Sequence, residues 1–68
     1  MRVPHHADVR AIRRGLGVNQ RDFAARFGFT LSAVRDWEQG RRRPERSVRI
    51  LLKIIEREPE VMERVLEG

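Results

Sequence analysis

The side chains best suited to recognition chemistry lie in one short segment, residues 31–36, that has the spacing of a helix. Arg35 carries a guanidinium that can donate two parallel hydrogen bonds to a guanine, and Asp36 can accept one from a cytosine or hold Arg35 in place. Val34 and Trp37 are three positions apart and are predicted to point inward, which leaves their neighbours outside. The predicted base-contacting residues are therefore Leu31, Ser32, Ala33, Arg35 and Asp36.

The residues before this segment predict a first helix and a sharp turn that would position it. Asn19 can cap a helix that ends at Gly28, where glycine most easily adopts the left-handed backbone of a corner. Thr30 can then cap the helix that presents residues 31–36. The pattern of small and apolar positions is that of a helix-turn-helix, and its members are Phe23, Ala24, Phe27, Gly28, Phe29, Val34 and Trp37.

Residues on both sides of the recognition segment are suited to DNA phosphates. Gln20 is predicted to begin a helix, where backbone N–H groups and the helix dipole favour an anion. Three consecutive arginines follow the segment and can reach neighbouring phosphates. The predicted phosphate-contacting residues are Gln20, Arg41, Arg42 and Arg43. The alternative is that the arginines form only a solvated loop, and a corresponding alternative places Leu31 in the core.

The charge of the chain is unevenly distributed between its two halves. Residues 1–46 carry 11 Arg against 5 acidic residues, which gives +6, whereas residues 47–68 carry 4 basic against 5 acidic residues, which gives −1. The basic half therefore coincides with the predicted helix-turn-helix, as expected for a protein whose partner is a polyanion.

Hydrophobic periodicity and capping residues predict an all-α fold of five helices and no strand. The first helix is expected over residues 8–16, the second starts after Asn19 and ends at Gly28, and the third starts after Thr30 and ends near Gln39. Pro44 is expected in the first turn of a fourth helix that ends near Arg57, and Pro59 is expected to open a fifth. Residues 1–7 are predicted to form a flexible arm ahead of a single domain over residues 8–68, with Arg2 able to touch DNA.

The fourth and fifth helices carry more apolar side chains than a small core requires. Val48, Leu51, Leu52 and Ile55 are predicted to form the core face of the fourth helix. Apolar side chains beyond that face predict an interface with a second copy of the chain, formed by Ile50, Ile54, Met62, Val65 and Leu66. The alternative is that all of these side chains belong to the intramolecular core.

Several classes of function are disfavoured by composition. The 68 residues contain no Cys, so neither disulfides nor a Cys-based zinc site is expected. His5 and His6 are adjacent, which is a poor spacing for a metal pair on a helix. The sequence has no Cys nucleophile and no glycine-rich phosphate loop, so an enzyme is not expected, and neither is a cofactor or a metal. With neither a signal-peptide core nor a membrane-length apolar run, the predicted location is the cytoplasm.

The segment of residues 12–44 resembles the Xre/Cro group of lambda-type repressors. The resemblance rests on Asn19-Gln20 before the acidic residue of the second helix, and on Trp37-Glu38-Gln39-Gly40 followed by a basic loop and Pro44. It implies a lambda repressor-like fold and a buried structural ion pair between Arg13 and Glu38. The C-terminal segment further resembles antitoxins of the HigA type.

This resemblance implies a homodimer that binds a palindromic operator in double-stranded DNA and represses its own toxin–antitoxin operon. A second hypothesis is a protein-binding module that mainly neutralises a partner toxin. Binding to the co-encoded toxin would distinguish it from a pure DNA-binding repressor, and the two functions are compatible.

Overall fold

The computed structural model describes residues 8–67 and folds them into five helices with no strand. The helices are α1 (Val9–Gly15), α2 (Gln20–Phe27), α3 (Leu31–Gln39), α4 (Arg46–Arg57) and α5 (Pro59–Glu67). The all-α prediction is confirmed, and the arrangement is compatible with a small helix-turn-helix domain. The predicted arm, with Arg2, His5 and His6, lies outside the described residues.

Side-chain caps fix where the first three helices begin. The Asp8 carboxylate accepts a hydrogen bond from the Ala11 N–H at 2.9 Å, and the Asn19 side chain accepts one from the Asp22 N–H at 2.7 Å. The Thr30 hydroxyl accepts from the Ala33 N–H at 3.0 Å. A cap of this kind contributes about 1 kcal/mol. The predicted caps at Asn19 and Thr30 are therefore confirmed.

The turn between α2 and α3 depends on a left-handed residue. Gly28 has φ 75° and its N–H donates to the Ala24 carbonyl, which closes the last turn of α2. Gly40 has the same φ and ends α3 in the same way. Residues other than glycine rarely adopt this backbone conformation, so a glycine allows the chain to change direction at both corners.

The prediction that Pro44 lies in the first turn of α4 is wrong. Pro44 is buried ahead of the helix, Glu45 has the extended backbone of an N-cap, and α4 begins at Arg46. The Glu45 side chain makes no capping hydrogen bond. The polypeptide between α3 and α4 is therefore longer than predicted.

The core lies where α2 and α3 cross, with α1 packed against α3 and α4, and α5 packed against α2 and α4. Phe23 is fully buried and its ring centroid lies 5.2 Å from that of Phe27 and 6.0 Å from that of Phe29. Phe29 in turn meets Trp37 edge-on at 5.1 Å. Edge-on and tilted aromatic pairs add to the burial energy. The buried apolar residues are Val9, Ile12, Phe23, Ala24, Phe27, Ala33, Val34, Trp37, Leu52, Ile55 and Met62.

Three placements predicted from periodicity are wrong. Ala33 was expected on the outer face but is 8% exposed, because it lies one turn before Trp37 on the inner row of α3. Leu51 was expected in the core but is 37% exposed, since it lies about 100° around α4 from Leu52, which takes the inward position. Met62 was expected at an interface but is 8% exposed, because α5 packs against both α2 and α4.

Candidate DNA interface

The outward face of α3 carries a continuous row of polar side chains. Ser32, Arg35 and Gln39 are exposed and Asp36 is half-buried, at positions i, i+3, i+7 and i+4 of one helix. This spacing places all four on one face. Gln39 was not among the predicted contacts, although its position seven residues after Ser32 is a signal that the sequence contains.

The other predicted base contacts on α3 are placed differently. Leu31 is half-buried at the first position of the helix. Ala33 is buried, so its methyl group is unavailable to a thymine. The available row therefore consists of polar side chains.

Asp36 fixes the start of the basic loop, residues 41–43, rather than holding Arg35. Its backbone carbonyl accepts hydrogen bonds from the N–H groups of Arg41 at 2.9 Å and Arg42 at 3.4 Å. Its carboxylate lies 3.9 Å from the Arg42 Nε. All three arginines of the loop are exposed. The loop is thus attached to the end of α3, and its side chains point to solvent beside the polar row.

Arg49 fixes the end of the same polypeptide segment. Its Nη1 donates to the Pro44 carbonyl at 2.7 Å, and its Nε is buried with no hydrogen-bond partner among the described residues. Sequence reasoning did not single out Arg49, because an arginine inside an amphipathic helix is ordinarily read as a solvated side chain. Asp36 and Arg49 together hold residues 41–44 at both ends.

A buried carboxylate connects α1, α2 and α3. The Glu38 side chain is 0% exposed. Its oxygens accept from the Arg13 Nε at 2.7 Å and Nη2 at 3.0 Å, from the Gln20 Nε2 at 3.2 Å and from the Arg10 Nε at 3.3 Å. The resemblance pointed to Arg13 and Glu38, but the contributions of Arg10 and Gln20 become visible only in the structure. These four residues are called the Glu38 cluster below.

Hydrogen bonds keep the Glu38 carboxylate ionised although it is buried. Hydrogen bonds from Arg13 lower the pKa of Glu38 against the opposing effect of burial, and Gln20 and Arg10 act in the same direction. Hydrogen bonding to Glu38 in turn raises the pKa of Arg13. A buried carboxylate without such partners would bind a proton near neutral pH. The cluster therefore contains one negative and two positive charges at neutral pH.

Gln20 lies at the first position of α2, beside α3. Its side-chain amide is held by Glu38, so the residue is fixed in place. The first N–H groups of a helix have no acceptor within the helix, and the helix dipole favours an anion there. The backbone at Gln20 is consequently suited to an anion close to the C-terminal end of α3, where Glu38 lies.

The described residues contain neither a group of three or more His, Cys, Asp or Glu side chains arranged for a metal, nor a helix of sufficient length and apolarity to span a membrane.

The fold and this polar surface together define a helix-turn-helix domain. Comparison with known families is more specific. The sequence profile of the family described as the antitoxin component of a bacterial toxin–antitoxin system, MqsA, matches residues 2–66. The chain belongs to the MqsA antitoxin family. The finer resemblance to the Xre/Cro group and to HigA-type antitoxins stays a prediction.

Curated relatives are consistent with this assignment. The chain is similar to the uncharacterized HTH-type transcriptional regulator YiaG of Escherichia coli strain K12, with 27% identity over 60 residues. The match covers 88% of this chain and 62% of the regulator. The YiaG proteins of strains O157:H7 and CFT073 match to the same extent. The names of these relatives and of the family indicate regulators and antitoxins, which in general are not enzymes.

Proposed function

We propose that this chain is a sequence-specific DNA-binding repressor and the antitoxin of a type II toxin–antitoxin system, acting in the cytoplasm on its own operon. The observation that carries the proposal is the exposed polar row of α3 beside the basic loop. A helix of this kind enters the major groove with its outward side chains at the base edges. In this role Arg35 forks onto a guanine, while Ser32, Asp36 and Gln39 contact neighbouring bases.

Phosphate contacts flank the row in the same proposal. In the proposal the DNA backbone is contacted by the basic loop, which follows α3, and by the N-terminus of α2, which the bond between Gln20 and Glu38 holds near the same end of α3. Because Asp36 and Arg49 hold the loop segment at both ends, less conformational entropy is lost when the arginines bind. These contacts supply affinity and salt dependence with little sequence information.

A homodimer on a palindromic operator completes the proposal. Two domains related by a two-fold axis would place their α3 helices in successive major grooves, about 34 Å apart. The exposed apolar surface of α4 and α5 supports a second copy as its partner, because large apolar side chains exposed together are typical of interfaces. Its residues are Ile50, Leu51, Ile54, Val61, Val65 and Leu66. Met62 does not belong to it, because its side chain is already buried.

The test is a titration of the purified protein with its own upstream DNA and with a random duplex, at two salt concentrations. Tight binding to the upstream DNA alone, with two protomers per site, is the expected result. Weak and strongly salt-dependent binding to both duplexes would reduce the proposal to non-specific attraction between charges.

Neutralisation of a partner toxin is the second candidate function. It is favoured by the family description and by an open groove of about 580 Å³ between α2 and α5, lined by Ala25, Arg26, Gly28, Glu63, Leu66 and Glu67. Arg26 and Glu63 form an ion pair across this groove at 3.3 Å. Calorimetric titration with the co-encoded toxin tests this function. Saturable binding that leaves DNA affinity unchanged would assign both functions to one chain.

A further inference from the structure

The Glu38 cluster contains one more guanidinium than its carboxylate requires. Arg13 is 14% exposed and makes two of the four hydrogen bonds to Glu38, and its single positive charge balances that of the buried carboxylate. Arg10 adds a single hydrogen bond through its Nε at 3.3 Å, and its side chain is 49% exposed. Among residues 8–67 no hydrogen bond is formed by the terminal nitrogens of Arg10. The cluster thus presents a surplus positive charge at its surface, with donors that no described residue uses.

The surplus charge lies beside Gln20. The Arg10 Nε and the Gln20 Nε2 donate to the same oxygen of Glu38, at 3.3 Å and 3.2 Å, so the two side chains are direct neighbours. Gln20 begins α2, whose free N–H groups lie beside the recognition helix. The guanidinium of Arg10 is therefore next to the side chain of the first residue of α2.

We infer that Arg10 is a further DNA phosphate-contacting residue, held in place by the buried Glu38 and acting with the N-terminus of α2. This inference rests on the proposed DNA-binding function and adds a contact from α1 to it. Glu38 holds the Nε edge of the guanidinium, and the outer edge donates to a phosphate oxygen. An arginine fixed in this way loses less side-chain entropy on binding than a freely rotating one.

The test compares the salt dependence of binding to a random-sequence duplex for the wild type, Arg10→Gln and Arg64→Gln. Arg64 is exposed on α5 and is not among the proposed DNA-contacting residues, so its variant makes the same change in net charge outside the DNA-contacting surface. Each phosphate neutralised contributes about −0.9 to the slope of log Kobs against log salt. Arg10→Gln is expected to reduce the slope by about 0.9 per bound protomer, whereas Arg64→Gln leaves it unchanged. The ratio of the wild-type affinity to the Arg10→Gln affinity is therefore expected to fall by about 3.5-fold per protomer when the salt concentration is raised from 50 to 200 mM.

A second variant separates charge from positioning. Arg10→Lys keeps the positive charge but lacks the Nε that Glu38 holds. It is expected to restore the wild-type slope with an affinity between those of the wild type and Arg10→Gln. If Arg10→Lys has the slope of Arg10→Gln, the charge does not act on phosphate and the inference is overturned.

Urea unfolding of each variant distinguishes a phosphate contact by Arg10 from a purely structural role. Arg13 keeps Glu38 paired in Arg10→Gln, so the variant is expected to fold. A shifted urea midpoint with an unchanged salt slope would make Arg10 only a partner of Glu38 and would overturn the inference while leaving the proposed function intact. If the wild type itself binds neither duplex, the proposed function fails, and the inference fails with it.

Discussion

Replacement of Arg13 and Glu38, singly and together, tests how the Glu38 cluster stabilises the fold. The variants are Arg13→Met, Glu38→Met and the double variant, which fills the space with apolar side chains of similar length. Because the Glu38 side chain has no exposed surface, each single replacement leaves a charge with less than its normal set of partners. The double replacement removes both charges. We therefore expect the double variant to be more stable than the sum of the two single losses predicts.

The magnitudes follow from the partners that remain. Removing one member of a buried ion pair costs about 3–5 kcal/mol. We expect about 3 kcal/mol for Arg13→Met, because Arg10 and Gln20 continue to donate to Glu38. For Glu38→Met we expect about 2 kcal/mol, because Arg13 keeps its bond to the Val18 carbonyl at 3.1 Å and some access to water. The double variant should lose about 2 kcal/mol, which gives a coupling energy of about 3 kcal/mol.

Urea unfolding followed by the fluorescence of Trp37 provides the assay. Trp37 is the only tryptophan of the chain and its side chain is buried in the core, so its emission reports the loss of packing. A domain of this size has a free energy of unfolding of only about 3–10 kcal/mol. The measurement is best made near 15 °C, where stability is usually greatest.

An exposed ion pair on α4 provides the matched control. Lys53 Nζ and Glu56 Oε1 are 3.3 Å apart on the surface, and the same cycle there should give a coupling energy below about 1 kcal/mol. Losses at Arg13 and Glu38 that add within error, or a coupling no larger than in the control, would refute the role given to the buried pair.

Four further expectations follow. The pKa of Glu38 is lowered in the folded chain, so the free energy of unfolding should fall as the pH drops below about 4.3, the ordinary glutamate pKa, and through that lowered pKa. Urea titrations at several pH values should show a weaker fall for Glu38→Gln. Arg35→Ala should weaken operator binding by about 1–3 kcal/mol in a titration and relax one base position. Gly28→Ala should cost about 1–2 kcal/mol in urea unfolding, because φ is 75° although the added methyl group meets no neighbour. Ile54→Glu should convert a dimer into monomers in sedimentation, without loss of helix content.

Each of these expectations has a control or a contradicting result. Gly15→Ala adds a methyl group in equally open space at a helical backbone and should not destabilise, so an equal loss at both glycines would exclude backbone strain as the cause. An Arg35→Ala variant that loses the same affinity on random DNA would place Arg35 on phosphate. Equal pH dependence in Glu38→Gln would show that other carboxylates dominate, and a dimeric Ile54→Glu would exclude α4 from the interface.

The helices were predictable because local signals determine them. Asn19 and Thr30 are N-caps, Gly28 and Gly40 have the left-handed backbone that ends a helix, and these residues mark the ends of α2 and α3 without reference to the rest of the chain. The inward positions of Val34 and Trp37 followed from their spacing in the same way. These features are encoded within a few residues of where they act.

Features set by tertiary packing were not predictable from such local signals. The broad apolar face of α4 includes both Leu51 and Leu52, which are about 100° apart, and only the packing of α4 against α1 and α5 decides which of them is buried. Met62 was misplaced for the same reason, whereas the burial of Ala33 could have been predicted from its position four residues before Trp37. The contribution of Arg10 to the Glu38 cluster joins residues 28 positions apart, and no local pattern contains that information.

The shortness of α1, α2 and α3, which have 7, 8 and 9 residues, has a consequence for any ligand of this surface. Isolated helices of this length do not persist in water, so the polar row of α3 exists only while the whole domain is folded. In the proposed function DNA binds the folded chain alone, and an operator present at 100 times its dissociation constant would stabilise the domain by about 2.7 kcal/mol. A chain bound to its operator would thus be protected from proteases that cleave the unfolded state, and it would have a longer lifetime than a chain free of DNA.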